Sequence, residues 1–484
     1  MRGNAGRSTA FVLFLLLAAG GGGAVWLRAE GSAPTVDAPE SVALGAGGRS
    51  VELQVADQGS GLRRVQVVLE HPRGEVLLLD ERYPGNWLLG GQGSPEPQPV
   101  EVRIEAGPLD LAEGSGFLRV SVSDWSWRGL GGNETRVDIP VVVDLEPPRI
   151  EVASGLTYVT RGGSGAVVYS VSEPVARDGV SVGDTFYRGF PLPSGPPQSG
   201  DQAESATSAE EWRARFGEGE PAQPAAASRQ YRVALFAVST DAPAKPVILV
   251  VAEDAAGNAA TAGWPAVVKE RSFPSGDVRL PPSFLDTTVR RLAAAEKIDA
   301  TDPAEAFREI NTRVRDANEA RIREITADSS QQRLWDGAFE QLRNSKVTSR
   351  FAEKRRYLVS GEAISEATHY GFDLASTKGA TVTAANAGRV LFAGELGIYG
   401  RCVLVDHGLG LSSLYAHLSQ IDVAVGDAVA KGQRLGRSGA TGLAGGDHLH
   451  FALLVGQTYV DPLEWWDPKW VRSHIDDRLH PSGG

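Results

Sequence analysis

Two histidines one residue apart, His448 and His450, follow the glycine-rich run Gly439-Ala440-Thr441-Gly442-Leu443-Ala444-Gly445-Gly446. On a β-strand alternate side chains leave the same face, so both imidazoles point one way while Leu449 and Phe451 anchor the reverse. Ring nitrogens placed like this suit a metal or an acid/base site. A second pair, His369 and Asp373, lies in His369-Tyr370-Gly371-Phe372-Asp373. On an extended segment i and i+4 share a face, so one nitrogen and one carboxylate oxygen can converge. A fifth candidate, His417, closes an alternation in which Ser413, Tyr415 and His417 share one face and Leu414, Ala416 and Leu418 the other. Together the five could supply a complete zinc hydrolase site.

The elements that must position them are mostly strands. From about residue 349 to 468 the chain is glycine-rich with short strand runs, such as Gly388-Arg389-Val390-Leu391-Phe392-Ala393 and Arg401-Cys402-Val403-Leu404-Val405. This reads as a compact antiparallel β domain followed by a polar C-terminal tail, 469–484. Residues 271–348 carry a helical pattern, with Phe307, Ile310 and Val314 at helical spacing, charges opposite, and Asp302-Pro303 as an N-terminal signal. That stretch is a helical spacer, or it packs beside the next domain and could occlude its groove. Further upstream, 32–144 and 145–270 consist of short alternating runs broken by turn residues, the pattern of antiparallel sandwiches. Their ends match: Asp124 leads through Gly132-Asn133, and Asp254 through Gly257-Asn258, each into a last strand. The expectation is a mainly β chain with two tandem immunoglobulin-like β-sandwich domains, the second carrying a Pro/Gly/Ser/Glu-rich insertion at 191–228.

Composition narrows the partners. A net charge of −12 and a pI near 5.3 leave no basic stripe to neutralise phosphates, so nucleic acid is not expected. One cysteine, Cys402, allows neither an intramolecular disulfide nor a thiolate zinc site. Arg2 and Arg7 precede an uncharged run over residues 8–27, about long enough to cross a bilayer once. Residues 1–31 read as an uncleaved membrane anchor, or as a signal peptide with Gly22 and Ala24 near the cut. Either reading puts the bulk of the chain in the periplasm or extracytoplasmic space of a bacterial envelope.

His369-x-x-x-Asp373, Tyr415-x-His417-Leu418-Ser419, and Gly439-x-Thr441-Gly442 leading to His448-Leu449-His450-Phe451 occur in this order. The set resembles the lysostaphin/LytM-type zinc metallopeptidases, peptidase family M23, over about residues 368–463. The resemblance implies that His369, Asp373 and His450 bind Zn²⁺ and leave a fourth position for water. It implies that His417 and His448 are the catalytic, non-ligand histidines, moving the water proton, stabilising the oxyanion and protonating the leaving amine. The implied activity is a metalloendopeptidase hydrolysing peptidoglycan peptide stems or cross-bridges, with D-Ala–diaminopimelate links as the lean. The alternative is a non-catalytic peptidoglycan-binding scaffold, or an activator of a separate cell-wall amidase, which would bring other cell-wall enzymes in as partners. Ala452 stands where many members carry an acidic residue, and a tuning effect at most is expected. Tyr415 would line the groove or pack. Asp447 would orient an imidazole or sit in a solvated turn, and His407 would be structural.

Overall fold

Alternation of apolar and polar residues builds most of this chain, and the computed structural model describes residues 28–91, 94–128, 131–192 and 230–479. Strands take 47% of residues and helices 14%, so the protein is mainly β. It divides into two compact units, Met1–Pro147 with Glu253–Ala259, and Pro148–Ala252 with Ala260–Gly484. The apolar run at 8–27, all but the first two residues of the insertion expected at 191–228, and residues 480–484 of the tail lie outside the described residues. Among the described residues no helix is long and apolar enough to cross a membrane.

In the first unit a three-stranded sheet (Thr35–Asp37, Arg49–Asp57, Ser94–Ile104) turns Val51, Leu53, Val55, Val100, Val102 and Ile104 inward. They meet Val65, Val67, Leu69, Leu118, Val120 and Val122 from a five-stranded sheet in one core. Each such side chain taken fully out of water contributes roughly 1.5–3 kcal/mol. The matched turns are braced alike. Asp124 accepts from the Asn133 backbone N–H (2.7 Å) and side-chain amide (2.8 Å), and Asp254 does the same with Asn258 (2.9 and 2.8 Å).

The second unit contains the candidate site. Its strands here are β1 (Ser275–Arg279), β2 (Lys346–Ser349), β3 (Glu353–Val359), β4 (Glu362–His369), β5 (Phe372–Ala375), β6 (Gly388–Leu396), β7 (Gly400–Gly408), β8 (Leu411–Leu418), β9 (Leu449–Val455) and β10 (Thr458–Val460). The main sheet runs β2-β5-β9-β8-β7-β6 with antiparallel neighbours, Ala428–Val429 at its edge and β10 beside β9. A smaller sheet, β1-β3-β4, has β1 parallel to β3.

The main sheet is buried on both faces, and different parts of the chain cover each. On one face Val403, Val405, Tyr415, Phe451 and Leu453 join a core that includes Val167, Phe236, Trp335 and Trp465. On the other, Cys402, Leu404, Leu414, Ala416, Ala452 and Leu454 meet Leu285, Val289, Phe307, Ile310, Val314 and Ile322. The latter six come from two helical runs, α1 (Pro282–Phe284, Leu285–Val289, Arg290–Ala295) and α2 (Pro303–Glu309, Ile310–Val314, Arg315–Ile325). Asp302 caps α2, accepting from the backbone N–H of Ala304 (2.8 Å). The stretch read as a spacer thus begins with a strand of the smaller sheet and then covers the main one. The stretch read as a polar tail is helical to Leu479, burying Val471, Ile475 and Leu479.

Candidate metal centre

β4 ends at His369 and β5 begins at Phe372. The expected single extended segment is therefore two strands in different sheets, joined by the turn Tyr370-Gly371. The turn lies against His450, and a Cβ at Gly371 would come within 2.6 Å of His450 Cε1 and 2.7 Å of the Phe451 carbonyl oxygen. Across β5 and β9 Asp373 is in register with His450, which is also in register with Ala416 on β8. Pleat alternation then sends Leu449 and Phe451 to one core and His450 with Ala452 to the helix-covered side, as the spacing predicts.

Alternation fails for the other two histidines. β9 starts at Leu449, so His448 precedes it, held by one bridge to Gly439 whose carbonyl accepts its N–H (3.0 Å). Strict pleating would put His417 on the face of Tyr415, away from His450. Instead His417 has φ +61°, a left-handed conformation rare outside glycine. The twist leaves Leu418 with Tyr415 in one core and swings the imidazole to the opposite side, where its centroid lies 4.8 Å from His448 and 5.9 Å from His450. Strain of this kind persists only where the surroundings impose it, and it concentrates at functional sites. Gly439 makes room, since a Cβ there would meet Ser419 N at 2.7 Å and the His417 carbonyl at 3.0 Å.

Three acceptor atoms converge. His369 Nε2 lies 2.9 Å from Asp373 Oδ1 and 2.9 Å from His450 Nδ1, and His450 Nδ1 lies 3.1 Å from Asp373 Oδ1. His369 Nδ1–H donates to the Arg350 carbonyl (3.0 Å), which leaves Nε2 a lone pair when the ring is neutral. Buried lone pairs this close repel one another unless a cation or proton sits among them. Two imidazole nitrogens and one carboxylate oxygen are a donor set zinc accepts. The acidic group Glu30, Asp57 and Asp124 in the other unit offers oxygen alone, which suits harder cations.

The two remaining imidazoles are each pinned through Nδ1. His417 Nδ1–H donates to the Thr441 carbonyl (2.9 Å) and His448 Nδ1–H to the Gly446 carbonyl (2.8 Å). His448 Nε2 is then 3.5 Å from Asp373 Oδ1. Burial pushes His417 well below the usual imidazole range, and the neighbouring His448 and His450 add to this. Burial also lowers His450, to about 4. For His448 burial acts downward too, but the Asp373 carboxylate outweighs it and the pKa rises. Burial would raise Asp373, yet His369, His448 and His450 hold it well below the carboxylate range.

Other expectations resolve plainly. Tyr415 is packing: it is buried, and its hydroxyl accepts from the Ala385 N–H (2.7 Å). Asp447 braces a loop, accepting from the Ser438 hydroxyl (2.6 Å) and the Gly379 N–H (3.1 Å). His407 is fully buried between the Ala387 carbonyl and the Ser413 hydroxyl, both at 2.7 Å, and burial lowers it to about 4. Sequence reasoning missed Arg355 on β3, whose Nη2 donates to Asp373 Oδ2 (3.0 Å) while Nε donates to Glu353 (3.2 Å). It also missed Tyr399, 5.7 Å from His450 between ring centroids and donating to Glu319 (2.6 Å). No local pattern marked either residue, because their neighbours come from distant parts of the chain.

All five expected residues line one cavity of about 530 Å³, whose far wall comes from β1, α1 and α2. Residues 367–462 match the model of peptidase family M23. The chain is 34% identical over 119 residues to the peptidoglycan DD-endopeptidase ShyB of Vibrio cholerae serotype O1, covering 25% of this chain and 27% of that protein. It is 36% identical over 122 residues to an uncharacterized metalloprotease of Haemophilus influenzae, covering 25% of each. Among solved structures, a zinc-containing peptidase from Vibrio cholerae is 31% identical with a TM-score of 0.24, over 28% of this chain and 40% of that one. The chain spans about a quarter of the length of the curated relatives it matches. Over residues 367–462 the chain carries a domain of peptidase family M23.

Proposed function

We propose that this protein is a zinc-dependent endopeptidase that hydrolyses peptide cross-links of peptidoglycan. The observation that carries the reading is the convergence of His369 Nε2, Asp373 Oδ1 and His450 Nδ1 within 3.1 Å of one another, with two further pinned imidazoles beside them. Zinc, when bound by these three, supplies a Lewis acid that activates water and polarises a substrate carbonyl. The chain's own residues do the rest. Burial keeps His417 neutral, so its Nε2 accepts the water proton. His448, whose Nδ1–H is held by the Gly446 carbonyl, presents Nε2–H to the developing oxyanion when its ring is doubly protonated, and the proton that His417 takes from water passes to the leaving amine. Thr441 takes the Nδ1–H of His417 and so leaves its Nε2 the lone pair a base needs, and Gly446 fixes the orientation of the His448 ring through Nδ1. Arg355 fixes the rotation of Asp373 by taking its second oxygen.

Support for the substrate comes from relatives named for peptidoglycan endopeptidase activity. We read residues 32–144 and 145–270 as immunoglobulin-like sandwiches, and residues 1–31 as the segment that directs the chain to the envelope. A non-catalytic scaffold would need none of this proton-transfer geometry. The test is digestion of purified peptidoglycan by the zinc-loaded full chain, followed by muropeptide analysis. Loss of cross-linked dimers is expected, as is its abolition in His448→Ala with zinc still bound. Intact cross-links with the zinc-loaded wild type would favour the scaffold.

A further inference from the structure

The cavity is unbalanced in charge. Three arginines line it, Arg279, Arg315 and Arg355, against one carboxylate, Asp373. Arg355 is committed to Asp373 and Glu353. Neither of the other two forms an ion pair among the described residues, although the charge of Arg279 helps to lower the Asp277 carboxyl that Arg356 holds.

Arg315, on α2, is held by an amide instead. Its Nε and Nη2 donate to Asn311 Oδ1 (3.2 and 2.7 Å). Asn311 is fixed in turn, its Nδ2 donating to the Ser365 hydroxyl (2.7 Å) and the Glu366 carbonyl (3.1 Å) on β4. The guanidinium is therefore oriented without being neutralised, and Nη1 makes no hydrogen bond among the described residues. Glu319, one turn further along, gives Oε1 to the Tyr399 hydroxyl. Arg279 ends β1 and is exposed, and its strand neighbour Asp277 is taken on both oxygens by Arg356 (2.8 and 3.0 Å). Around them the wall is apolar, with Val278, Leu280, Phe284 and Phe307.

We infer that Arg315 and Arg279 form a carboxylate-binding subsite of the substrate groove, supplied by the segment that precedes the peptidase domain. The inference rests on the endopeptidase reading and narrows its substrate class. A cavity of about 530 Å³ is on the order of 10 Å across, or about three extended residues at 3.3–3.6 Å each. The substrate is then a peptide with a free carboxylate within about three residues of the scissile amide. In a D-alanyl–diaminopimelate cross-link, the carboxylate on the carbon that bears the acylated amine meets that description. An oriented guanidinium is the group best matched to a carboxylate, because two parallel N–H donors fit its two oxygens.

The experiment compares two cross-linked muropeptide dimers that differ only in whether that carboxylate is free or amidated, using the zinc-loaded full chain. Wild type should show kcat/KM about ten- to a hundredfold higher on the free form, the range of a hydrogen bond to a charged group, mostly through KM. Arg315→Met should lose most of this preference, and Arg279→Met/Arg315→Met should bring the ratio near one. Arg315→Lys, which keeps the charge and loses the fork, should fall between. A wild type that cleaves both dimers equally overturns the subsite whether or not the variants fold. So does a folded, zinc-binding double variant that retains the preference. If wild type cleaves neither dimer, the endopeptidase reading falls first and the subsite with it, an outcome distinct from equal cleavage.

Discussion

Gly371→Ala isolates how tightly the turn between β4 and β5 is fitted to the metal centre. An added Cβ would lie 2.6 Å from His450 Cε1, 2.7 Å from its Nε2 and 2.7 Å from the Phe451 carbonyl oxygen. Carbon atoms prefer separations of about 3.5–4.0 Å, so the imidazole or the turn must yield by about 1 Å. The backbone at Gly371 is not left-handed, so alanine brings no torsional penalty and the collision alone is tested. Phe451 is locked in the core and the register of Asp373 with His450 fixes the strands, which leaves the ring as the part that moves. Metal sites tolerate about 0.2 Å of ligand displacement, and a misplacement near 1 Å costs about a hundredfold in rate. Overpacking adds about 1–3 kcal/mol of destabilisation. The assay is zinc affinity by competition with a chromogenic chelator, with the melting temperature measured alongside. Gly445→Ala is the control, at a glycine of the same cavity where an added Cβ would meet nothing within 4 Å. A Gly371→Ala protein that binds zinc and cleaves like wild type would refute the close fit.

Other expected outcomes are separable from this one. Arg355→Met should weaken zinc binding by about 10–100-fold, as loss of groups that orient metal ligands commonly does, and Arg355→Lys should restore part of it in the same chelator competition. Glu464, which accepts from the Ser164 N–H (2.9 Å), is raised by burial from 4.5 to about 8. A carboxyl raised in the folded state contributes stability that is full below the unfolded value and lost as pH climbs through the folded one. Wild type should therefore lose stability between pH 4.5 and about 8, by at most about 5 kcal/mol at 1.4 kcal/mol per pH unit and by less where solvent reaches the carboxyl. Denaturation of Glu464→Gln across that window should be flatter, and a parallel slope in the two proteins would count against the assignment.

Residue types and spacing were enough to name the five groups that the fold brings to one cavity, but the route by which they arrive was less legible. Period-two alternation placed His450 well, since β9 is a regular strand with a core on each face. It misjudged His417, because a single left-handed residue reverses the alternation and nothing in Leu414-Tyr415-Ala416-His417-Leu418 announces a positive φ. It misjudged His369 and Asp373 as well: Gly371 permits a turn that a five-residue window reads as continuous strand. Arg315 and Arg279 were illegible for a different reason. Their importance depends on a cavity shared with histidines 54 or more positions away, and a helical pattern does not say which face it covers.

The same packing bears on how the peptidase domain is built. Its main sheet cannot stand alone, because the face carrying Cys402, Leu404 and Ala452 is covered by α1 and α2 and the opposite face shares a core with Val167 and Phe236. Trp465 Nε1–H donates to the Ser164 hydroxyl (3.0 Å) and Tyr187 bonds Thr458 (2.8 Å), adding polar ties to that shared core. Cutting the chain at the edge of the family match would strip both faces of apolar cover, at roughly 25 cal/mol for each Å² returned to water. The upstream segments therefore act on the site through the sheet that holds His450 and His417. Because α2 also brings Arg315 to the cavity, the cover of the sheet and the wall of the groove are one piece of structure, so a change that loosens the helices should disturb substrate recognition and the metal centre together.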